Sequence, residues 1–238
     1  MTRKIIYLVL FFLLISSGKA FSLSENNLLF YLPFQKTLKP LISKGKTEIQ
    51  FGPGQQSQNF KFVKGKRGFG LEIIPHPPYN NPINYLNKNM FSPHEGTIAF
   101  WIKPVGWKGG DSTNHYFVTV YGATAYFMIY KFYPGDTWVY LAGPGGKTTV
   151  VGNSNSVWGN GKKWVFLAFT FKPGEQCFYV NGKLSGKSTT DLIEQDFSKS
   201  CQLSIDEGSQ IIDEIMTFDR ALTETEIEAL YKSNYIRN

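Results

Sequence analysis

The amino-acid sequence predicts an all-β sandwich with one short helix at its C-terminal end. Phe, Tyr and Trp make up 16% of the 238 residues, there are 23 glycines, and only 18% of the residues are charged. Aromatic and β-branched side chains suit the half-buried surface of a sheet, and glycines suit the turns between strands. The absence of repeats, linkers or low-complexity tracts predicts that residues 21–238 form a single domain.

The first 20 residues have the features of a signal peptide. Arg3 and Lys4 precede the apolar run Ile5–Ile15, and small residues, Gly18 and Ala20, occupy the positions expected before a cleavage site. The apolar run is too short to span a bilayer. We therefore expect a secreted protein, extracellular or periplasmic, that begins at residue 21 and has no transmembrane segment after cleavage.

The charge of the chain argues against a nucleic-acid partner. The formal net charge is +7, and removal of the three basic residues of the signal peptide leaves about +4. No dense Lys/Arg block is present, because aromatic, aliphatic and glycine residues interrupt the basic cluster at 61–67. A solvated hairpin is the better interpretation of that cluster.

Two stretches show the alternation of a strand in a sandwich. In Gly96–Pro104 the residues Ile98, Phe100 and Ile102 alternate with others, which predicts a strand with one fully apolar face. In Trp164–Phe171 both faces are apolar, which predicts a central strand.

Two local motifs mark a turn and a helix. Asn181-Gly182 predicts a tight hairpin because both residues tolerate positive φ. Thr223 and Glu226 have the spacing of a capping box, and Leu222 and Ile227 that of a hydrophobic staple, so a short helix is expected to start here and to dock on the sandwich.

Cys177 and Cys201 are predicted to form a disulfide, because thiols of exported proteins tend to pair. Strand parity opposes the pairing, since Cys177 alternates with Phe178 whereas Cys201 has the parity of Leu203. The bond would need a bend in the chain near Cys201.

Taken together, several stretches resemble the laminin G-like, concanavalin A-like lectin/glucanase superfamily and follow one another in the order usual for it. They are Phe62–Leu71, Glu95–Pro104, Trp164–Phe171 with Phe178–Lys183, and Ile212–Ile227. The resemblance implies a jelly roll of two packed antiparallel sheets. It leaves the function open, because the superfamily contains lectins, carbohydrate-binding modules, adhesion domains, glycosidases and lyases.

Catalytic motifs are largely missing. Hydrolases of this superfamily carry a Glu-x-Asp-x-Glu strand, and the nearest match, Glu194-Gln-Asp196, is followed by Ser198 and Lys199 instead of a third acid. The three histidines lack the spacing of a zinc site. We therefore expect a protein that is not an enzyme.

Asp213 has two interpretations. It shares strand parity with Ile211 and Ile215, which predicts a partly buried carboxylate in need of partners. The favoured interpretation is that it accepts backbone N–H bonds and fixes the last strand. The alternative is that it helps to hold Ca²⁺, the one cofactor we consider.

Ligand-binding candidates are aromatic and polar residues in predicted loops. Trp107 and Trp158 lie beside glycines, so we expect them to be exposed and to stack on sugar rings. Polar and aromatic loop residues that accompany them are Asp111, Asn114, His115, Tyr133, Asp136 and Asn160. The alternative is that all of these side chains cap the ends of the sandwich.

The main hypothesis is a non-catalytic recognition domain for a polysaccharide or a cell-surface glycoconjugate. The first alternative is a protein-interaction or structural module of an extracellular or envelope assembly, with an extracellular protein as partner. A divergent glycosidase or lyase is the third hypothesis. A shallow aromatic groove with amides would favour the first, and a cleft with paired carboxylates the third.

Overall fold

The computed structural model describes residues 27–52, 60–75, 83–133, 135–143, 146–152, 155–189 and 197–233. The predicted signal peptide and the Glu194-Gln-Asp196 motif lie outside these residues. In the part of the chain that is described, no helix has the length and apolar character needed to cross a membrane.

The strands form two antiparallel sheets, as the sequence predicts. The nine-stranded sheet contains β1 (Leu28–Leu32), β2 (Ile42–Ser43), β4 (Phe60–Lys64), β5 (Phe69–Ile73), β7 (Gly96–Pro104), β12 (Val165–Lys172), β13 (Glu175–Val180), β14 (Lys183–Ser188) and β16 (Gln210–Phe218). The seven-stranded sheet contains β3 (Glu48–Phe51), β6 (Ile83–Leu86), β8 (His115–Gly122), β9 (Tyr126–Lys131), β10 (Thr137–Gly143), β11 (Gly146–Gly152) and β15 (Cys201–Ile205). Two helices, α1 (Asn155–Trp158) and α2 (Glu224–Lys232), complete the described elements.

The strand order separates neighbours in sequence from neighbours in space. The nine-stranded sheet runs β14-β13-β12-β7-β16-β1-β2, with the β4–β5 hairpin attached to β16 through β5. The seven-stranded sheet runs β11-β10-β9-β8-β15-β6-β3. The predicted central strand is confirmed, because β12 lies between β7 and β13.

The core fills the space between the two sheets. Phenylalanines from both sheets meet there, with Phe127 of the seven-stranded sheet 5.1 Å from Phe169 of the other sheet between ring centroids. Phe91, Phe171 and Phe197 extend this aromatic cluster toward one end of the sandwich. Burial of so much apolar area is the main source of stability in a fold of this kind.

Strand β7 is buried on both faces, which differs from the prediction of one apolar face. Ile98 and Phe100 point into the core, whereas Ala99 and Trp101 belong to a second cluster on the outside of the nine-stranded sheet. Helix α2 covers that outer cluster, so the second face is buried by a segment more than a hundred residues away in sequence.

Helix α2 is capped and docked as predicted. The Thr223 side chain accepts from the backbone N–H of Glu226, and the Glu226 carboxylate accepts from the backbone N–H of Thr223. Leu222, Ile227 and Leu230 are buried in the outer cluster. These contacts satisfy orphan N–H groups at the start of the helix and anchor its apolar side on the sheet.

The Asn181-Gly182 hairpin is also confirmed. The two residues have φ values of 50° and 80°, the left-handed conformation that a two-residue turn of this type requires. The Asn181 side-chain oxygen accepts from the backbone N–H of Phe166, 3.0 Å away, so the turn is tied to the neighbouring strand.

The predicted disulfide is wrong. Both cysteines are free and buried. Cys177 lies on β13 in the outer cluster beneath α2, whereas Cys201 lies on β15 in the core between the sheets. The nine-stranded sheet separates the two thiols, so the parity argument against the bond was the correct one.

Candidate ligand-binding face

The two loop tryptophans are buried, so the prediction that they are exposed stacking platforms is wrong. Trp107 is 7% exposed and Trp158 is 1% exposed. The Trp107 indole N–H donates to the Ser209 carbonyl at 2.8 Å, and that of Trp158 donates to the Thr137 hydroxyl at 3.0 Å. Glycines next to each tryptophan turn the chain so that the ring enters the sandwich. Both rings close one end of the core. This agrees with the alternative prediction, in which the loop side chains cap the ends of the sandwich.

Asp111 and His115 help to fix the loop that carries Trp107. The His115 ring stacks on Trp107 at 4.2 Å and bonds to the Asp111 carboxylate at 2.7 Å through Nε2. Lys131 is fully buried and donates to the Asp111 carboxylate and to the Thr113 carbonyl. Burial alone would raise the pKa of Asp111, but hydrogen bonds from Lys131 and His115 lower it below its usual value. These contacts fix the position of the loop that carries Trp107.

Asn114 and Tyr133 lie together nearer the surface. The Asn114 side-chain oxygen accepts from the Tyr133 backbone N–H at 2.8 Å, and the Tyr133 side chain is 52% exposed. Asp136 is half-buried and Asn160 is exposed. The structure therefore gathers four predicted residues, Trp107, Asp111, His115 and Trp158, into one cluster in which the rings are buried and Asp111 is half-buried, and it leaves Tyr133 accessible.

Asp213 accepts backbone N–H bonds, as the favoured interpretation stated. Its two oxygens accept from the backbone N–H groups of Arg67, at 3.0 Å, and of Glu214, at 2.9 Å. Complete burial raises the pKa of Asp213 to about 8 despite these bonds. Among the described residues no cluster of three or more His, Cys, Asp or Glu could hold a metal ion.

A β-bulge next to Asp213 changes the predicted parity of the strand. The register of β16 shifts between Asp213 and Met216, so Ile215 points into the core although Asp213 does not. Glu214 adopts a φ of 56° and is fully buried. Its carboxylate accepts from the Tyr31 hydroxyl at 2.9 Å and pairs with the Arg67 guanidinium at 3.0 Å.

Arg67 also reaches the end of the last helix, because its second guanidinium nitrogen donates to the Ser233 carbonyl. Burial raises the pKa of Glu214, and the bonds from Tyr31 and Arg67 oppose that rise. We call Tyr31, Arg67, Asp213 and Glu214 the buried charge network. It connects β1, the β4–β5 turn, β16 and the C-terminal end of α2.

The outer side of the seven-stranded sheet is covered with aromatic rings, and we call it the tyrosine face. Its residues alternate along β9 and β10 with residues of the core, such as Phe127, Ile129, Val139 and Leu141. On β8 a β-bulge between Tyr116 and Val118 brings Tyr116 and Tyr121 to the same side. Rings on this face are Tyr116, Tyr121, Tyr126, Tyr130, Trp138 and Tyr140.

The rings of the tyrosine face contact one another across the strands. Tyr116 stacks on Tyr130 with centroids 5.1 Å apart, and Tyr126 lies 5.7 Å from Tyr121 and 6.0 Å from Tyr140. Tyr116 and Tyr121 are 40% and 44% exposed. The face therefore offers flat, solvent-accessible rings whose positions are fixed by their neighbours.

A strip of amide and hydroxyl groups continues this face on β15 and β6. The Ser204 hydroxyl and the Gln202 amide both donate to the Asn84 side-chain oxygen, at 2.7 and 3.2 Å. Next to them the Thr119 hydroxyl donates to the Asp206 carboxylate at 2.6 Å. Burial raises the pKa of Asp206 to about 6. Gln202, Asn84 and Asp206 are half-buried, whereas the Ser204 and Thr119 hydroxyls are buried and fix their positions beside the aromatic rings.

Comparison with family models matches residues 80–228 to a laminin G-type model described as the concanavalin A-like lectin/glucanases superfamily. This match covers more than half of the chain. The chain belongs to the concanavalin A-like lectin/glucanases superfamily. No protein with curated annotation matches the chain in sequence.

Solved structures with a similar fold include the binding domains of toxins. The binding domain of Paraclostridial Mosquitocidal Protein 1 matches with a TM-score of 0.69 at 18% identity, covering 90% of this chain and 54% of that chain. The binding domain of botulinum neurotoxin serotype D matches with a TM-score of 0.67 at 19% identity, covering 90% and 53%. The chain thus spans about half the length of these toxin domains. At such identities the likeness shows the fold alone.

A third structure matches over its whole length. Domain 4 of AbnA, a GH43 extracellular arabinanase from Geobacillus stearothermophilus, has a TM-score of 0.64 at 16% identity, covering 87% of this chain and 100% of that chain. That domain was solved in complex with arabinotriose.

The alternation that builds the tyrosine face is visible in the sequence, but it does not show which side of the strands is exposed. Tyr126 and Tyr130 alternate with Phe127 and Ile129, which is the pattern of a strand with a core side and an exposed side. The binding residues were predicted in loops, because neighbouring glycines suggested exposure, and no role was predicted for these strands.

Proposed function

We propose that this protein is a secreted, non-catalytic recognition domain that binds a polysaccharide or a cell-surface glycoconjugate through the tyrosine face. The observation that carries the proposal is the set of partly exposed rings, Tyr116 and Tyr121 above all, beside a strip of amides and hydroxyls. The superfamily to which the chain belongs includes lectins, and one domain of similar fold was solved with a bound arabinotriose.

The chemistry of the face suits a sugar chain. The C–H faces of a sugar ring pack on aromatic rings, and its hydroxyls exchange hydrogen bonds with amides, hydroxyls and carboxylates. Gln202 and Asn84 are half-buried and offer amide groups on β15 and β6, the next two strands after the one that carries Tyr121. Because the face is the outside of a sheet rather than a deep cleft, it suits an extended chain lying across the strands.

The proposal is tested first by a glycan array with the chain that begins at Phe21, screened with and without calcium. A hit is then titrated by calorimetry against the Tyr121→Ala and Tyr116→Ala variants. Loss of one stacking ring should remove about 1 kcal/mol of binding, which is about fivefold in affinity. Leu184→Ala is the matched control, because Leu184 is also 44% exposed but lies on β14 of the other sheet.

Two results would contradict the proposal. Equal affinity of the wild type and both tyrosine variants would remove the face as the binding site. Release of reducing sugar from the bound glycan, followed over hours, would show that the domain is an enzyme.

Tyrosine and tryptophan are also the residues that dominate protein–protein interfaces, so a protein partner is the second candidate for the same face. A protein partner predicts no hit on the array. It also predicts that Tyr121→Ala removes the capture of a defined extracellular protein.

A further inference from the structure

A groove lies on the opposite side of the sandwich from the tyrosine face, where β7 ends. It has a volume of ≈ 660 Å³, within the range of small-molecule sites. Ile211, Pro104 and Val105 contribute apolar surface, and Lys103, Lys108 and Lys162 contribute basic groups. We call it the lysine groove.

The charges that line the lysine groove do not cancel. Glu72 pairs with Lys61 at 3.3 Å, and the Asp111 carboxylate is taken by Lys131 and His115. Both acids of the groove are therefore already neutralised by partners that are not part of its lining.

The three lysines of the groove have no such partners among the residues that the structure describes. In the described ranges of the chain, Lys103, Lys108 and Lys162 form no ion pair with a carboxylate. Lys108 and Lys162 are exposed and Lys103 is half-buried. The groove thus presents an uncompensated positive charge, which attracts an anion.

The walls of the groove are held in position. The Gly109 backbone N–H donates to the Gly159 carbonyl at 3.0 Å, so the loop after β7 is bonded to the loop before β12. Gly161 has a φ of 73°, and a Cβ at this position would lie 1.9 Å from the Trp107 carbonyl oxygen. The two loops therefore pack backbone against backbone, and the site needs little rearrangement to bind a ligand.

The groove combines features that suit an acidic sugar better than a small inorganic ion. Ile211 and Pro104 give a partly apolar floor, which suits the C–H face of a sugar ring. Asn160 is exposed, and its side-chain oxygen accepts from the Lys162 backbone N–H at 3.2 Å, so its NH₂ group remains to donate to a hydroxyl. The lysines would pair with a carboxylate or sulfate on the sugar.

We propose that the lysine groove is a second binding site, separate from the tyrosine face, for a saccharide that carries a carboxylate or sulfate group. It goes beyond the proposed function, because the tyrosine face is argued from neutral stacking and hydrogen bonding. Because the two sites lie on opposite sides of the sandwich, each can be occupied independently by its own saccharide.

The test uses trigalacturonate and a heparin-derived tetrasaccharide as probes, with a neutral trisaccharide for comparison, titrated by calorimetry at low and high salt. We expect the acidic probes to bind more weakly at high salt. The variant Lys103→Gln/Lys108→Gln/Lys162→Gln should bind them about tenfold more weakly. The matched control is Lys39→Gln/Lys44→Gln/Lys88→Gln, which removes the same charge at three exposed positions elsewhere and should bind normally.

Three results would overturn the inference. The first is no binding of either acidic probe, and the second is an equal loss in both triple variants, which indicates non-specific attraction. The third is binding of vesicles with phosphorylated lipid headgroups, sensitive to the groove variant, without binding of acidic sugars. Each proposal can be refuted without the other. The neutral glycan and Tyr121→Ala test the tyrosine face, whereas the acidic probes and the lysine variants test the lysine groove.

Discussion

Replacing Arg67 by methionine is expected to destabilise the fold strongly, because it leaves a buried carboxylate without its cation. Arg67 is 7% exposed and Glu214 is fully buried, with 3.0 Å between the guanidinium and the carboxylate. The same substitution removes the hydrogen bond to the Ser233 carbonyl at the end of α2. Tyr31 remains as a partner of Glu214, so one of its hydrogen-bonding groups survives.

The expected loss is about 3–5 kcal/mol, the usual cost of removing one partner of a buried ion pair. That is a large part of the 5–15 kcal/mol that typically separates folded from unfolded domains. The free energy of unfolding is measured by urea denaturation, followed by circular dichroism and tryptophan fluorescence. Lys61→Met is the control, since Lys61 is 58% exposed and its pair with Glu72 should contribute under about 1 kcal/mol.

The pH dependence of the Arg67→Met variant is part of the prediction. Burial already raises the pKa of Glu214, and loss of the guanidinium raises it further. When a carboxyl group has a raised pKa in the folded state, the protein becomes less stable as the pH increases and that group ionises. The variant's loss of unfolding free energy relative to the wild type should therefore be larger at pH 8 than at pH 5. A loss below about 1 kcal/mol, or a deficit that does not change with pH, would refute the reasoning.

Three further outcomes test the fold. Thr223→Ala should cost about 1 kcal/mol through loss of the helix cap, while Thr223→Ser should retain most of that energy, both by urea denaturation. Hydrogen bonding to Arg220 lowers the pKa of Glu226 to about 2, so its stabilisation should be present above pH ~4 and disappear as the pH falls toward 2; Glu226→Gln should flatten that part of the pH–stability curve. Cys177 and Cys201 should be unreactive toward a thiol reagent in the folded protein, and both should react in denaturant without reductant. If no thiol reacts in denaturant, the two cysteines are not free.

Local signals in the sequence were sufficient for elements that depend on few residues. The turn at Asn181-Gly182 and the capping box from Thr223 to Glu226 are each specified within a few positions, and both have the predicted geometry. The alternation in 96–104 and 164–171 likewise identified strands correctly.

Features that depend on distant residues could not be predicted in the same way. Glycines beside Trp107 and Trp158 indicated turns, but the direction of each ring depends on acceptors such as Ser209 and Thr137 that are distant in sequence. The parity around Asp213 failed because a bulge adds a residue to the strand, and the sequence carries no simple sign of it.

The candidate site was missed for a different reason. The alternating pattern of Tyr126, Tyr130, Trp138 and Tyr140 was present in the sequence, but aromatic residues in strands suggest a core as readily as an exposed face. Only the packing of β9 and β10 against the second sheet decides which side is solvent-exposed.

The position of β16 in the nine-stranded sheet has a consequence for how the protein folds. This strand is the last in the described chain, yet it pairs with β1, β5 and β7, all of which are made much earlier. During synthesis the edges of β1 and β7 therefore remain unpaired until residue 218 has left the ribosome. Closing loops of this length makes folding slow, and the open strand edges are sites at which incomplete chains aggregate.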